Sequence, residues 1–322
     1  MYLLVQEVPF LKKLTFALVL ITIVLSLGMS VFSSPLLANT DNSSTNRLES
    51  RDKYLNIMTV NKPQYDMVKR ITKDKHSVQY ILTDEKDIYN FKYNKEVLNN
   101  VSNMDLFMYS GTSFEPWANA FINELKKGNL GIINLARGIR ILNYDENGTT
   151  KENPYYFSGI EEYKVALYNV KAAIQDRDPQ NRDYYEDNYN ETIKEIDEKL
   201  KQYDKKLKQL KNFTFVTLSN DFDYLLKGLG LNVMKLDNRE LKEFINKNNL
   251  DINKVVIVED GENLSGLDLS PYYSVKLWKY YGNMSFDDLI EYNIGELSKF
   301  AKDETAAENI SNVESADNNV NS

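Results

Sequence analysis

The chain has 322 residues and a net charge of −8, with 39 Lys and Arg against 47 Asp and Glu. Binding to phosphate backbones needs clustered positive charge, so this balance excludes nucleic acid as a partner. The absence of cysteine excludes disulfides, thiolate metal ligands, cysteine nucleophiles and a lipid-modified N-terminal cysteine.

The N-terminal segment predicts export. Lys12 and Lys13 precede an apolar run over 14–32, and a basic stretch before an apolar core is typical of an export signal. The run is also nearly long enough to span a bilayer, so residues 1–38 fit either a cleaved signal peptide or an uncleaved membrane anchor. Residues 39–53 are polar and predict a flexible linker. The body is therefore expected in the periplasm or at the outer face of the cytoplasmic membrane.

Strands and helices are predicted to alternate over 54–181. Short apolar runs predict strands over 55–60, 78–82, 105–109 and 131–135. Helical spacing of apolar residues predicts helices over 65–71, 97–101, 117–125 and 160–174. Residues 143–152 predict a loop. The alternation favours an α/β lobe with a mostly parallel sheet.

One long helix is predicted over 182–211. Its apolar positions alternate at spacings of four and three residues: Tyr189, Ile193, Ile196, Leu200, Tyr203, Leu207 and Leu210. This stripe is typical of a helix that packs on one side and exposes a charged face. A coiled-coil dimer is the alternative, but the stripe lasts only about three heptads, which favours a monomer.

The alternation resumes over 212–301. Strands are predicted over 213–218, 232–236 and 255–258, and helices over 222–227, 239–248 and 286–300. Residues 302–322 are polar and acidic and predict a disordered tail. The predicted fold class is α/β, with two (β/α) lobes of parallel-type sheets joined by one long bridging helix.

Several segments occur in an order that resembles one known family. The strand and glycine loop over 105–111 are followed by Glu-Pro-Trp at 115–117, and an Asp-Pro turn at 178–179 opens the long helix. Phe-Val-Thr at 215–217 and Tyr-Asn at 292–293 complete the series. In these features the body resembles the substrate-binding proteins of zinc- and manganese-type ABC transporters.

The resemblance implies a ligand cleft between the lobes, lined by histidines and one acidic residue. At the positions of these metal ligands the chain has Tyr89, Tyr155, Ser219 and Met284. Phenols, a hydroxyl and a thioether do not replace the imidazole, thiolate or carboxylate ligands that zinc requires. The expectation is therefore no bound cofactor and a degenerate metal site. Zinc or manganese would bind only if this reasoning about the donors failed.

Five further residues are expected as neighbours of the cleft: Asp87, Trp117, Tyr156, Asn220 and Asn283. Two interpretations of the tyrosines remain open. In one, Tyr89, Tyr155, Tyr156 and Trp117 form an aromatic wall for an organic or cationic solute. In the other, the aromatic side chains fill a vacated metal site, and the lobes present a surface to a protein partner.

Carboxylates near the expected cleft offer a third hypothesis, weak binding of a hard cation such as Ca²⁺. The candidates are Asp87, Asp221, Glu259 and Asp287. The single histidine, His76, lies in a charged segment and is expected on the surface. The chain has no Ser-His or Cys-His pair and no phosphate-binding loop, so it is not expected to be an enzyme.

The predicted function is an exported solute-binding component of a metal-type ABC transporter, partnered by a membrane permease. A non-transport surface protein that kept the fold, adhesin-like or a scaffold, is the alternative.

Overall fold

The computed structural model describes residues 53–83, 88–126, 128–146, 148–236, 240–260, 269–279 and 284–301. The predicted signal peptide or anchor, nearly all of the predicted linker and the predicted C-terminal tail lie outside these ranges, as do Asp87 and Asn283. Within the described ranges, none of the helices combines the length and the apolar character needed to cross a bilayer.

The first lobe is built on a four-stranded parallel sheet. Its strands are β1 (Asn56–Thr59), β2 (Ser77–Tyr80), β3 (Leu106–Tyr109) and β4 (Gly131–Asn134). They are ordered β2-β1-β3-β4, and β1 registers Ile57 against Val78 on one side and Leu106 on the other. All four strands were predicted; β3 is the short continuous apolar run typical of a buried strand in a parallel sheet, whereas β2 is only partly apolar.

The helices of the first lobe cover this sheet. They are α1 (Lys62–Thr72), α2 (Lys95–Ser102), α3 (Ala118–Glu124) and α4 (Ile160–Arg177). The side chain of Asn61 accepts a hydrogen bond from the backbone N–H of Gln64 and so caps α1, and Asn94 caps α2 in the same way through Val97. Such caps satisfy backbone donors that have no partner inside the helix.

The segment over 143–152 is a β-hairpin, not the predicted loop. Strand β5 (Asn143–Glu146) pairs antiparallel with β6 (Thr149–Glu152). In the sequence, Asn-Gly stands at 147–148, and Gly148 has a φ of 77°. Asn-Gly is a favoured turn sequence for a tight hairpin because both residues tolerate positive φ.

The bridging segment is two helices where one was predicted. Helix α5 (Arg182–Lys201) is followed by α6 (Asp204–Leu210), with a break at Gln202 and Tyr203. The predicted apolar stripe nevertheless packs against the core along both helices. The break leaves the stripe in phase because Gln202 and Tyr203 keep φ and ψ close to helical values.

The second lobe repeats the architecture of the first. Its sheet has the parallel strands β7 (Thr214–Thr217), β8 (Asn232–Lys235), β9 (Val255–Asp260) and β10 (Tyr273–Leu277), ordered β10-β9-β7-β8. Its helices are α7 (Asp223–Gly228), α8 (Leu241–Lys247) and α9 (Phe286–Ser298). Strand β10 was not predicted.

His76 is buried, so the prediction of a surface position was wrong. Its Nδ1 accepts a hydrogen bond from the backbone N–H of Leu55, at 3.3 Å. That acceptor role leaves the proton on Nε2, which lies 2.6 Å from the hydroxyl of Tyr185. The Tyr185 hydroxyl in turn donates to Asp178, at 2.5 Å. Burial lowers the pKa of His76 although Asp178 opposes the change, which favours the neutral imidazole. Through this imidazole, the chain of hydrogen bonds joins the start of the first strand to the start of α5.

Candidate ligand site between the lobes

The two tyrosines at the first two predicted ligand positions lie together. The hydroxyl groups of Tyr89 and Tyr155 are in hydrogen-bond contact. The buried ring of Phe114 lies behind both, with ring centroids 6.0 Å from each in edge-to-face geometry. The first lobe thus presents a pair of hydroxyl groups on an aromatic base.

Asn153 positions Tyr155 and connects the lobes. Its side-chain oxygen accepts a hydrogen bond from the backbone N–H of Tyr155, at 3.1 Å. Its side-chain N–H donates to the carbonyl of Asn220 in the second lobe, at 2.5 Å. Its own carbonyl accepts from the hydroxyl of Tyr224, at 3.1 Å. Asn153 is buried, so these bonds form where water does not compete.

The second lobe contributes an ion-pair group that faces these tyrosines. The Lys279 ammonium lies 2.9 Å from a carboxylate oxygen of Asp221 and 2.9 Å from one of Asp260. The same ammonium lies 5.3 Å from the centroid of the Tyr155 ring, within cation–π range. We call Tyr89, Tyr155, Asp221, Asp260 and Lys279 the interlobe group.

The protonation states in the interlobe group follow from burial and charge. Burial raises the pKa of Tyr155, and the carboxylate of Asp221 and the hydroxyl of Tyr89 raise it further, so the phenol is neutral. Burial lowers the pKa of Lys279, but Asp221 and Asp260 outweigh it, and the net pKa is raised. Lys279 is therefore a cation and Tyr155 is a neutral phenol.

The other predicted ligand positions are not equivalent to the tyrosines. Ser219 is half-buried, and its hydroxyl accepts a hydrogen bond from the backbone N–H of Asp221, at 3.3 Å. Met284 lines two surface pockets together with Asp288, and neither pocket is lined by Tyr89 or Tyr155. Ser219 therefore supports the interlobe group, while Met284 lies beside α1 and α9.

Trp117 and Tyr156 lie in the core of the first lobe instead of on an aromatic wall. The indole N–H of Trp117 donates to the carbonyl of Ile88, at 2.8 Å, and the hydroxyl of Tyr156 donates to the carbonyl of Ser110, at 3.0 Å. Trp117 thus fixes the residue immediately before Tyr89. Both side chains support the site from behind.

Glu115, of the Glu-Pro-Trp segment, is a buried carboxyl group beneath the glycine loop. It accepts hydrogen bonds from the side-chain N–H of Gln64, at 2.7 Å, and from the backbone N–H of Ser110, at 2.7 Å. The hydroxyl of Ser110 donates to the same carboxyl group, at 2.9 Å. Burial raises the pKa of Glu115 to about 7 even though these three donors oppose it. Glu115 therefore ties the loop after β3 to helix α1.

Of the carboxylates proposed for a hard cation, the three that the structure describes do not form one centre, and Asp87 lies outside the described residues. Asp287 is buried and pairs with Arg70, at 2.5 Å, while Tyr163 donates to its second oxygen, at 3.2 Å. This pairing ties α9 to α1 and α4 and engages both oxygens of Asp287. Glu259 is buried within β9, next to Asp260 of the interlobe group. Among the three candidates that the structure describes, Asp221 alone belongs to the interlobe group.

Asp260 and Lys279 were missed from the sequence. Lys279 follows β10, where Val275 and Leu277 are buried while Ser274 and Lys276 are exposed. This alternation is the signature of an edge strand with one buried face. Recognising it would have placed Lys279 at the carboxyl end of a strand, where ligand sites of parallel sheets lie.

The donors that are present do not suit zinc. Zinc requires about four nitrogen, sulfur or carboxylate ligands in a tetrahedron. Among the described residues, no group of three or more His, Cys, Asp or Glu side chains is arranged to hold a metal ion. The interlobe group instead combines two carboxylates with two tyrosine hydroxyl groups and its own ammonium.

A family profile described as "Zinc-uptake complex component A periplasmic" matches residues 57–255. The chain belongs to this zinc-uptake component A family. The resemblance seen in the sequence is thereby confirmed, and the periplasmic description of the family agrees with the predicted location outside the cytoplasm.

Relatives of this family member are similar along much of the chain. The high-affinity zinc uptake system protein ZnuA of Bacillus subtilis is 26% identical over 208 residues, which are 61% of this chain and 65% of that protein. The manganese ABC transporter substrate-binding lipoprotein PsaA of Streptococcus pneumoniae is 26% identical over 196 residues, 58% of this chain and 63% of the relative. The alignments thus span less than two-thirds of either relative.

Solved structures confirm the two-lobed fold class. The metal-dependent lipoprotein YcdH of Bacillus subtilis superposes with a TM-score of 0.63 at 22% identity, covering 77% of this chain and 100% of that structure. The protein FpvC of Pseudomonas aeruginosa, solved in complex with Mn²⁺, has a TM-score of 0.64 at 17% identity and covers 77% and 98% of the two chains. At these identities the similarity is evidence for fold alone.

Proposed function

We propose that the chain is a solute-binding component of a metal-type ABC transporter in which the metal site has degenerated. Family membership supports the transport role. The interlobe group supports the loss of tight Zn²⁺ or Mn²⁺ binding, because tyrosines stand at two ligand positions and a lysine ammonium lies over the ring of Tyr155. A neutral phenol offers a metal ion a weak oxygen donor, and ionising it costs free energy at neutral pH.

The expected partner is a membrane permease, reached from the periplasm or the outer face of the cytoplasmic membrane. The N-terminal segment would provide membrane association, and the body would act as a monomer without catalytic activity. None of these roles involves nucleic acid, in agreement with the net charge of −8.

The test is thermal unfolding of the full-length chain with Zn²⁺, Mn²⁺ or chelator, with the Bacillus subtilis relative named for zinc uptake as a positive control. Ligand at about a thousand times its dissociation constant adds about 4 kcal/mol to the free energy of unfolding, which raises Tm by several degrees. We expect no change in Tm for this chain. A rise with Zn²⁺ or Mn²⁺ that chelator reverses would refute the degenerate site.

A non-transport role as a surface or scaffold protein is the second candidate. The observation that favours it is the mutual bonding of the interlobe residues, which satisfy one another's polar groups. Co-purification with an ABC permease from detergent-solubilised membranes distinguishes the two roles. Recovery of a permease supports transport, and its absence under conditions that retain a functional relative's permease supports the scaffold.

A further inference from the structure

The charges of the interlobe group come from the ends of neighbouring strands. Asp260 ends β9, the strand between β10 and β7. Lys279 follows β10 by two residues, and Asp221 lies in the loop after β7. Parallel strands bring their carboxyl ends to one edge of a sheet, so these side chains converge without any special loop structure.

The ammonium of Lys279 is enclosed. The exposed fraction of its side chain is 14%, and those of Asp221 and Asp260 are 16% and 7%. Both carboxylates lie 2.9 Å from the ammonium, and the ring of Tyr155 covers it from the other lobe. Two carboxylates and an aromatic face are the surroundings that a desolvated cation requires.

The charge balance shows what the lysine does. With both carboxylates ionised, the three groups carry a net charge of −1, and without the ammonium the charge would be −2 in a largely buried place, where burial already raises the pKa of Asp221 against the opposing charge of Lys279. Removing one member of a buried ion pair is strongly destabilising. A cation therefore stabilises the ionised carboxylates, and the chain supplies one that cannot diffuse away.

We propose that Lys279 is a tethered cation that occupies the interlobe site in place of a metal ion and keeps free cations out. This inference rests on the proposed degenerate metal site and gives its cause. A tethered group competes at a high effective concentration, whereas a free cation competes only at its concentration in solution. Removing the ammonium should leave two carboxylates and several hydroxyl groups, a set of oxygen donors that suits Ca²⁺.

The experiment compares Ca²⁺ binding by the wild-type chain and Lys279→Met, using isothermal titration and thermal unfolding. Methionine matches the lysine side chain as far as Cε and removes the ammonium and its charge. We expect no binding to the wild type and binding to Lys279→Met with a dissociation constant on the order of 10⁻³ M, the weak end of the range for extracellular calcium modules. Lys276→Met is the matched control, because Lys276 is an exposed lysine on β10. Adding Asp260→Asn to Lys279→Met should abolish the gain, and Lys279→Arg should behave as the wild type.

A second measurement needs no variant and applies even if Lys279→Met does not fold. Acylation of the native wild-type chain with an amine-reactive ester, followed by mass spectrometry, should modify Lys276 at least about tenfold faster than Lys279, because a paired and enclosed ammonium deprotonates rarely. Equal acylation rates at the two lysines would overturn the proposal. A folded Lys279→Met chain that does not bind Ca²⁺ would also overturn it. Stabilisation of the wild type by Zn²⁺ is a separate outcome, which would refute the degenerate site. The acylation rates would still show by themselves whether the ammonium of Lys279 is enclosed.

Discussion

Glu115 should make the protein less stable at neutral pH than at mildly acidic pH. Burial raises the pKa of this carboxyl group from 4.5 to about 7. Between these values the folded protein binds more protons at Glu115 than the unfolded chain does, so the free energy of unfolding falls as the pH rises. At about 1.36 kcal/mol per pKa unit, the contribution lost between acidic and neutral pH is about 3 kcal/mol.

The assay is urea unfolding of the wild type and Glu115→Gln from about pH 4 to about pH 8. The amide does not titrate, and its cost should be constant because its NH₂ group faces the side-chain N–H of Gln64 at every pH. We therefore expect the wild-type free energy of unfolding, relative to the variant, to fall by about 3 kcal/mol over this range. The exposed Glu243 provides the control, since Glu243→Gln should leave the pH profile unchanged. A wild-type-to-variant difference that stays constant with pH would refute the reasoning.

Three further predictions concern stability, each measured by urea unfolding. Arg70→Met should cost about 3–5 kcal/mol because it leaves the carboxylate of Asp287 buried without its cation, whereas Lys69→Met, at an exposed ion pair, should cost less than about 1 kcal/mol. His76→Gln should remove a pH dependence from the free energy of unfolding of the wild type. Because burial lowers the pKa of His76, the stabilisation by its neutral form is present above the unfolded pKa of 6.5 and is lost as the pH falls below it. If the loss of stability at acidic pH were the same in the wild type and the variant, the neutral imidazole would be contradicted. Gly111→Ala should lower the free energy of unfolding more than Gly138→Ala does. Both glycines have positive φ, but of the two only Gly111 would place the new methyl group against another side chain, 1.8 Å from an oxygen of Asn134. Equal losses of stability would show that the structure relieves this contact.

Strand β9 was predictable because it begins with a continuous run of apolar residues. The run Val255–Val258 is buried at every position, and a short run of this kind bounded by polar residues indicates a strand without knowledge of its neighbours. Strand β10 has only one buried face, and its alternating pattern is weaker evidence. The break at Gln202 escaped prediction because apolar spacing records the side on which a helix packs, not whether its hydrogen bonds are continuous.

The site was predictable only as far as its position in the chain. The resemblance predicted Tyr89 and Tyr155 as a pair of site positions, and the structure brings their hydroxyl groups into contact. The pairing of Lys279 with Asp221 and Asp260 depends on the order of strands in the second sheet, which local sequence does not encode. The burial of His76 was missed for a similar reason, since its partner Tyr185 is 109 residues away.

Because the interlobe charges lie at strand ends, the ligand site can change without a change in the fold. A parallel sheet is held by backbone hydrogen bonds, and side chains beyond the last paired residue take no part in them. Lys279 lies outside the register of β10 with β9, which ends at Leu277 and Asp260. A single substitution at such a position alters which ions the protein accepts while every strand keeps its partner, so specificity in this architecture is free to change far faster than structure.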